Sequence, residues 1–270
     1  PVTLSLTYSP CPNDTFVFHA WVHGLVDGPP VEVTYHDVDV TNGMAQRGER
    51  DVLKVSYGAL PWLLEDYALL PAGGALGRGC GPLVLTAGRT DLRGATVAVP
   101  GERTTAYLLF RLWAATRGVG NVVVMPFAEI MPAVRDGLVD AGLVILEARF
   151  TYGSYGLTSL VDLGDWWESD TGLPIPLGAI LARRSLDLAG LTKTIQASVD
   201  HAWADPSASA GYVAEHAAEM DPDVQQRHIA LYVNEFTRDL GEDGYAAIEG
   251  LLGRASQAGL VPAIDLSTLR

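Results

Sequence analysis

The chain has 270 residues, 48% of them hydrophobic, and a formal net charge of −14. That length and apolar content suit one large core or two small ones, and no run approaches the roughly 18 to 20 apolar residues of a membrane span. The acidic balance excludes nucleic acid as a natural partner, since phosphates need a basic face, but leaves room for a small anion held by local donors.

Residues 1–6 lack the basic start and long apolar core of a signal peptide, and Pro1 is compatible with removal of an initiator Met. The two cysteines, Cys11 and Cys80, are not spaced as a metal motif. These features predict a reduced, cytoplasmic setting. Residues 2–7 alternate Val or Leu with Thr or Ser and read as a strand. A turn with two prolines, Tyr8 to Asp14, follows, and then helical apolar spacing from Thr15 to Leu25, with Asn13 or Asp14 as N-cap. Residues 31–35 are the next strand, 41–48 a short helix, and 51–55 a third strand, after which Ser56 caps a helix over 57–65. This rhythm predicts a parallel sheet.

Five glycines between Gly73 and Gly81 predict a flexible loop; no Gly-Lys-Ser/Thr ends them and they open no helix, so neither a Walker loop nor a dinucleotide fingerprint fits. Residues 82–87 read as a strand. From Asp91 the rhythm restarts: strand 96–99, helix 105–117, strand 122–125, helix 129–136 and an apolar run from Ala141 to Leu146. That run reads as a strand buried on both faces. Residues 152–172 show no clear period, and 177–182 give one more strand. Helices follow at about 190–204, 206–219, 222–235 and 242–258, two of them opened by Asp-Pro. The expected architecture is α/β with two lobes, lobe one from residues 1–91 plus 175–270 and lobe two from 92–174, around a central cleft.

Three strand-to-helix junctions share one chemistry: Ser9 to Asp14, Lys54-Val55-Ser56, and Arg103-Thr104-Thr105-Ala106. Each sets a hydroxyl and free backbone N–H groups at a helix start, where a carboxylate is favoured. Each can also be an ordinary cap. Their co-occurrence with Lys54, Arg103 and Arg149 points to a shared anion site at the carboxyl ends of the strands. The weaker alternatives are His19 and His23 as metal ligands, His36 as a catalytic group, Trp166-Trp167 as a ligand wall and Cys11 as a nucleophile. His201, His216 and His228 read as surface or packing residues.

Several blocks together resemble one family: Ser9-Pro10-Cys11-Pro12-Asn13-Asp14-Thr15-Phe16, Lys54-Val55-Ser56-Tyr57, Gly73 to Gly79 with Arg78, Pro100-Gly101 with Thr104 to Tyr107, Arg149-Phe150-Thr151-Tyr152, and Leu177-Gly178-Ala179-Ile180. The chain is similar, over nearly its whole length, to the 1,4-dihydroxy-6-naphthoate synthases of the futalosine route to menaquinone. The resemblance implies a type II periplasmic-binding-protein fold. It implies a lyase that splits cyclic dehypoxanthinylfutalosine into 1,4-dihydroxy-6-naphthoate and dihydroxyacetone, with no metal or organic cofactor. The implied substrate contacts are Lys54, Val55, Ser56, Thr105 and Ala106, with Ser9, Asn13, Asp14, Arg78, Glu147, Arg149 and Tyr152 as further cleft residues. The implied partner is a small anionic substrate, and a homo-oligomer is compatible with the sequence.

One position departs from the family. Where its members carry a histidine regarded as the proton acceptor, this chain has Leu146, and Glu147, Arg149, Phe150, Thr151 and Tyr152 all align around it. Leucine accepts no proton, so impaired turnover is expected with fold and ligand binding retained. Two origins stand open: a substitution made to trap a ligand, or a natural variant using another base such as Glu147 or His36. A binding-only solute-binding module and a chorismate dehydratase relative are the alternatives, and the Ser9 to Phe16 block speaks against the second.

Overall fold

The computed structural model describes residues 2–219 and 221–270; Pro1, and with it the reading of that terminus, lies outside them, as does Met220. The first lobe begins β1 (Leu4–Tyr8), α1 (Pro12–Val22), β2 (Val31–Tyr35), α2 (Val38–Gln46), β3 (Val52–Ser56) and, after a 3₁₀ turn over Tyr57–Trp62, β4 (Tyr67–Gly77). The chain then crosses to β5 (Leu83–Thr86), β6 (Thr96–Val99), α3 (Thr105–Ala114), β7 (Asn121–Val124), α4 (Phe127–Arg135), β8 (Ala141–Val144), α5 (Ala148–Thr151), β9 (Thr158–Asp162) and α6 (Leu163–Thr171). It returns through β10 (Ile175–Arg183) to α7 (Leu188–Ala204), α8 (Ala210–His216), α9 (Pro222–Tyr232), α10 (Glu235–Arg238) and α11 (Gly241–Gln257).

Among the described residues the strands form two five-stranded sheets, ordered β2-β1-β3-β10-β4 and β7-β6-β8-β5-β9. In each sheet three strands run parallel, and the fourth is the antiparallel strand of a crossover: β10 against β3 in the first, β5 against β8 in the second. Parallel strands need their faces covered, which the flanking helices do. Leu6, Val52 and Ile180 pack on one side of the first sheet, and Leu53, Val55 and Leu69 on the other.

The structure corrects several expectations. Strand β5 belongs to the second sheet, so the first crossing lies near residues 78–82, not at 91/92. The glycine-rich stretch is no flexible loop through Gly77: it is β4, paired with β10 through two register shifts. Its glycines serve close approach, since a Cβ on Gly74 would stand 2.7 Å from the Gly178 carbonyl oxygen. The run Ala141 to Leu146 is a strand only to Val144. Residues 152–172, aperiodic in sequence, hold β9 and α6. Helix α11 does not serve lobe one alone. Ile248 and Leu252 enter the lobe-one core, while Leu251 and Ala255 pack with Trp167 in the other, so the helix ties the lobes together.

Candidate active site

The carboxyl ends of β1, β3, β6 and β8 converge on one cleft of about 330 Å³, within the size range of small-molecule sites. Lobe one supplies Ser9, Asn13, Asp14, Lys54 and Ser56; lobe two supplies Thr104, Thr105, Ala106, Leu146 and Glu147. An apolar wall of Phe127, Met131, Ile145 and Tyr155 faces the polar side.

The first junction folds differently from expectation. Helix α1 starts at Pro12 with Cys11 as N-cap, so Asn13 and Asp14 lie in the first turn instead of capping it. Proline at the first helical position costs no hydrogen bond, which moves the start forward. Asp14 then has a second task. One oxygen accepts from Ser9 Oγ at 2.6 Å and Ser9 N at 3.2 Å, and the other pairs with Lys54 Nζ. Both partners of this ion pair are buried. A glycine at 178 makes room for the lysine, because a Cβ there would stand 2.4 Å from Lys54 Cε.

At the second junction Ser56 leads into a 3₁₀ turn and not an α-helix. Asn42 clamps it: the Ser56 N–H donates to Asn42 Oδ1 at 2.8 Å and Asn42 Nδ2 donates to Ser56 Oγ at 3.1 Å. Val55 does not line the cleft. Successive strand residues face opposite sides, and Val55 points with Leu53 into the core. At the third junction Thr104 caps α3 by accepting from Tyr107 N at 3.1 Å. Thr105 Oγ accepts from Gly58 N at 2.9 Å and donates to the Leu177 carbonyl at 3.0 Å, stitching the lobes. The N–H groups of Thr105 and Ala106 have no intrahelical acceptor and sit at the positive end of α3.

Of the three cations expected here, Lys54 alone lines the cleft. Arg103 lies over the Trp62 ring, 3.8 Å from its centroid. Arg149 donates to Asp162 at 2.6 Å and to the Gly81 carbonyl at 3.0 Å, holding lobe two together. Arg78 is exposed and donates to the Gly172 carbonyl, and Tyr152 packs against the lobe-two core. These two, like Arg149 and Val55, do not border the cleft. His36 is exposed and off the cleft, and Trp167 is core, donating to the Pro174 carbonyl. His23 Nδ1 lies 2.8 Å from the His19 carbonyl oxygen. Burial, with Glu147 nearby, pushes the Cys11 thiol well up, which opposes a nucleophilic thiolate.

Leu146 has φ +58°, the one non-glycine residue in the left-handed region among the described residues. A leucine there is strained, and such strain gathers at functional sites. Glu147, next in the chain, points its Oε2 at Cys11 Sγ and at His228 Nδ1, each 3.7 Å away. Burial raises the Glu147 pKa, and Asp37 and Glu219 add to the rise. Of the two roles expected for His228, surface or packing, the structure shows packing, against the Tyr232 ring, and adds a polar partner. His228 is fully buried, its Nε2 is 2.8 Å from Asn13 Oδ1, and burial and Lys54 push its pKa down to about 3. The missed signal was the inward face of α9, where Val224, His228 and Tyr232 recur every four residues. Ala218 and Glu219, on the turn after α8, also border the cleft, and no motif marks them.

Two α/β lobes with a polar and an apolar wall facing across a cleft define a protein of the periplasmic-binding-protein-like class. The periplasmic aliphatic sulphonate binding protein of Escherichia coli shares this fold, with a TM-score of 0.69 at 14% identity over 99% of this chain and 91% of its own. A solved Archaeoglobus fulgidus protein superposes with a TM-score of 0.90 at 34% identity, covering 96% of this chain and 98% of that one. Within that class the chain belongs to the menaquinone biosynthesis family, whose sequence profile matches residues 4–257. It is 68% identical to the 1,4-dihydroxy-6-naphthoate synthase of Streptomyces coelicolor, over 99% of this chain and 98% of that one. The Thermus thermophilus synthase is 47% identical over 95% of both chains.

Proposed function

We propose that the protein is a 1,4-dihydroxy-6-naphthoate synthase, a carbon–carbon lyase that splits cyclic dehypoxanthinylfutalosine into the naphthoate and dihydroxyacetone in the cytoplasm. The observation that carries this reading is full-length identity of 68% to a synthase of that name. The cleft chemistry supports it. Asp14 already neutralises Lys54, so a substrate carboxylate is held mainly by the hydroxyl of Ser56 and the N–H groups at the start of α3. The apolar wall suits the flat ring system. The site needs no metal for either contact.

The weak point is position 146. A positioned general base contributes about 10²- to 10⁴-fold, and leucine has no atom to accept a proton. Replacing it, Leu146→His, is expected to raise kcat by a factor in that range, read as naphthoate released from the cyclic substrate. Equal rates for both chains sink the missing-base reading. Stoichiometric binding with no product from either chain favours a binding-only module, the reading that Leu146 keeps open.

A further inference from the structure

Behind the cleft a line of polar groups runs from Lys54 to Glu147. Lys54 pairs with Asp14, and Asp14 also accepts from Ser9. Asn13 Nδ2 donates to Asp14 Oδ1 at 3.4 Å, which turns its carbonyl oxygen toward His228. That oxygen only accepts, so His228 Nε2 carries the proton and donates to it at 2.8 Å. The lysine end of the line thus fixes the tautomer. His228 Nδ1 is left as a bare lone pair, buried and without a hydrogen-bond partner, 3.7 Å from Glu147 Oε2.

A lone pair facing a carboxylate is two acceptors without a proton between them. One proton across that 3.7 Å gap serves both groups, and since burial and Lys54 disfavour an imidazolium, the proton belongs on Glu147. The other titratable groups facing Glu147 divide: two acids favour its neutral form, and the Cys11 thiol, which donates to it, favours the charged one. Asp37 before α2 and Glu219 after α8 are acidic and disfavour a second negative charge. Cys11 at the start of α1 is a buried thiol that donates to the same oxygen. Tyr232, one turn along α9 from His228, has a buried hydroxyl without a partner. Lys54 is the nearest cation in the line, and Asp14 occupies it.

We infer that His228 holds Glu147 as a neutral carboxylic acid and that Glu147 is the proton donor of the cleft. This rests on the lyase reading for the step itself. One proton leaves the substrate to a base. The bond to the three-carbon fragment breaks, its electron pair staying on that fragment, and Glu147 gives its proton to the fragment. The carboxylate left behind is reprotonated from cleft water as the base releases the proton it took, so the sum needs no oxidant or reductant. Glu147 is therefore not the replacement for the missing histidine at 146. It does the opposite half of the proton transfer, and His228 is its positioning residue.

The test has two arms on the full chain. In the first, the free protein carries ¹³C-labelled glutamate, with the Glu147 signal assigned by its loss in Glu147→Gln. Glu147 is expected to titrate above the ordinary glutamate range of about 4.3. His228→Gln, which keeps a donor for Asn13, and Asn13→Ala, which frees the tautomer, are each expected to move that titration down. An ordinary value in the parent, or no movement in either folded variant, overturns the pairing. In the second arm, Leu146→His supplies a base, and Glu147→Gln added to it is expected to lower kcat by about 10²-fold or more with little change in KM. It is also expected to abolish the loss of activity at high pH, a limb that His228→Gln shifts to lower pH. Product formed at full kcat by the double variant overturns the donor role alone. No product from Leu146→His overturns the lyase reading and the donor role with it, while the first arm still decides the protonation of Glu147.

Discussion

The two lobes give the cleft walls of opposite character. The lobe-one wall is polar yet fully buried, with Ser9, Asn13, Asp14, Lys54 and Ser56 all under 5% exposed. Each of its side chains is held by another, so its dipoles are fixed before a ligand arrives. The lobe-two wall is apolar and half-exposed around Ile145, Leu146 and Tyr155, and it carries the strained backbone. The buried polar groups of lobe one sit on ordinary strand ends and a helix start, whereas Leu146, the position that departs from the resemblance, sits on the irregular turn just after β8. On the function proposed above, the rigid wall and the start of α3 fix the substrate, and the strained turn is where a reacting group is presented.

The sharpest way to break this contrast is at Asp14. Removing one partner of a buried ion pair leaves an unpaired charge, so Asp14→Ala is expected to cost roughly 3–5 kcal/mol in urea unfolding. A loss near zero means the lobe-one wall is not locked. Next is the crossing between the lobes. A Cβ on Gly81 would meet the Gly164 backbone at 2.2 Å, and backbone cannot swing aside as a side chain can. Gly81→Ala is expected to cost about 1–3 kcal/mol and to lower ligand affinity, because it shifts lobe two against lobe one. Unchanged stability argues that the crossing is slack.

His228 sharpens the contrast through pH. Its folded pKa is depressed to about 3 by burial and by Lys54, below the unfolded value of about 6.5. The unfolded chain therefore binds the proton first as pH falls. The contribution of His228 is complete above about 6.5 and shrinks as pH falls toward 3, by about 1.4 kcal/mol per unit at most. At pH 5 that is about 2 kcal/mol. Glu147 has the opposite sign: its raised pKa makes a cost that appears as pH rises above its unfolded value. With Glu147→Gln in both chains, so that this carboxyl does not titrate, the stability difference between His228 and His228→Gln is expected to narrow from pH 7 to pH 5; a constant difference overturns the depressed His228 pKa.

Much of this was legible in the sequence because it rests on local rules. The strand–helix alternation, the Asp-Pro cap at Asp221, and the hydroxyl-bearing junctions all announce themselves within a few residues, whereas the Asp-Pro pair at 205 opens only a 3₁₀ turn without a side-chain cap. The misses share a different cause. Glycines at 73, 74 and 77 look like a loop until β10 is known to lie against them. Arg103 and Arg149 look like ligand cations until Trp62 and Asp162 are seen to hold them. Asn42 and His228 act on groups 14 and 215 residues away, and no local pattern states such pairings. Position 146 is the converse case: the resemblance drew attention to it, and the backbone supplies an independent reason.

That reason allows the finest test of the lobe-two wall. Holding leucine in the left-handed region costs about 1–2 kcal/mol. Asparagine tolerates that region far better, its short side chain bonding to local backbone. Leu146 is half-buried, so exchanging it also forfeits about 1 kcal/mol of apolar burial. The two effects oppose, and Leu146→Asn is expected to leave stability within about 1 kcal/mol of the parent. Leu146→Ile keeps the volume but adds a branch at Cβ, which the left-handed region resists most. It is therefore expected to be less stable than Leu146→Asn despite its greater hydrophobicity. Equilibrium urea unfolding of the two variants side by side reads the order directly. If the isoleucine chain is the more stable, burial governs this position and strain does not, and the lobe-two wall loses its distinction from the wall it faces.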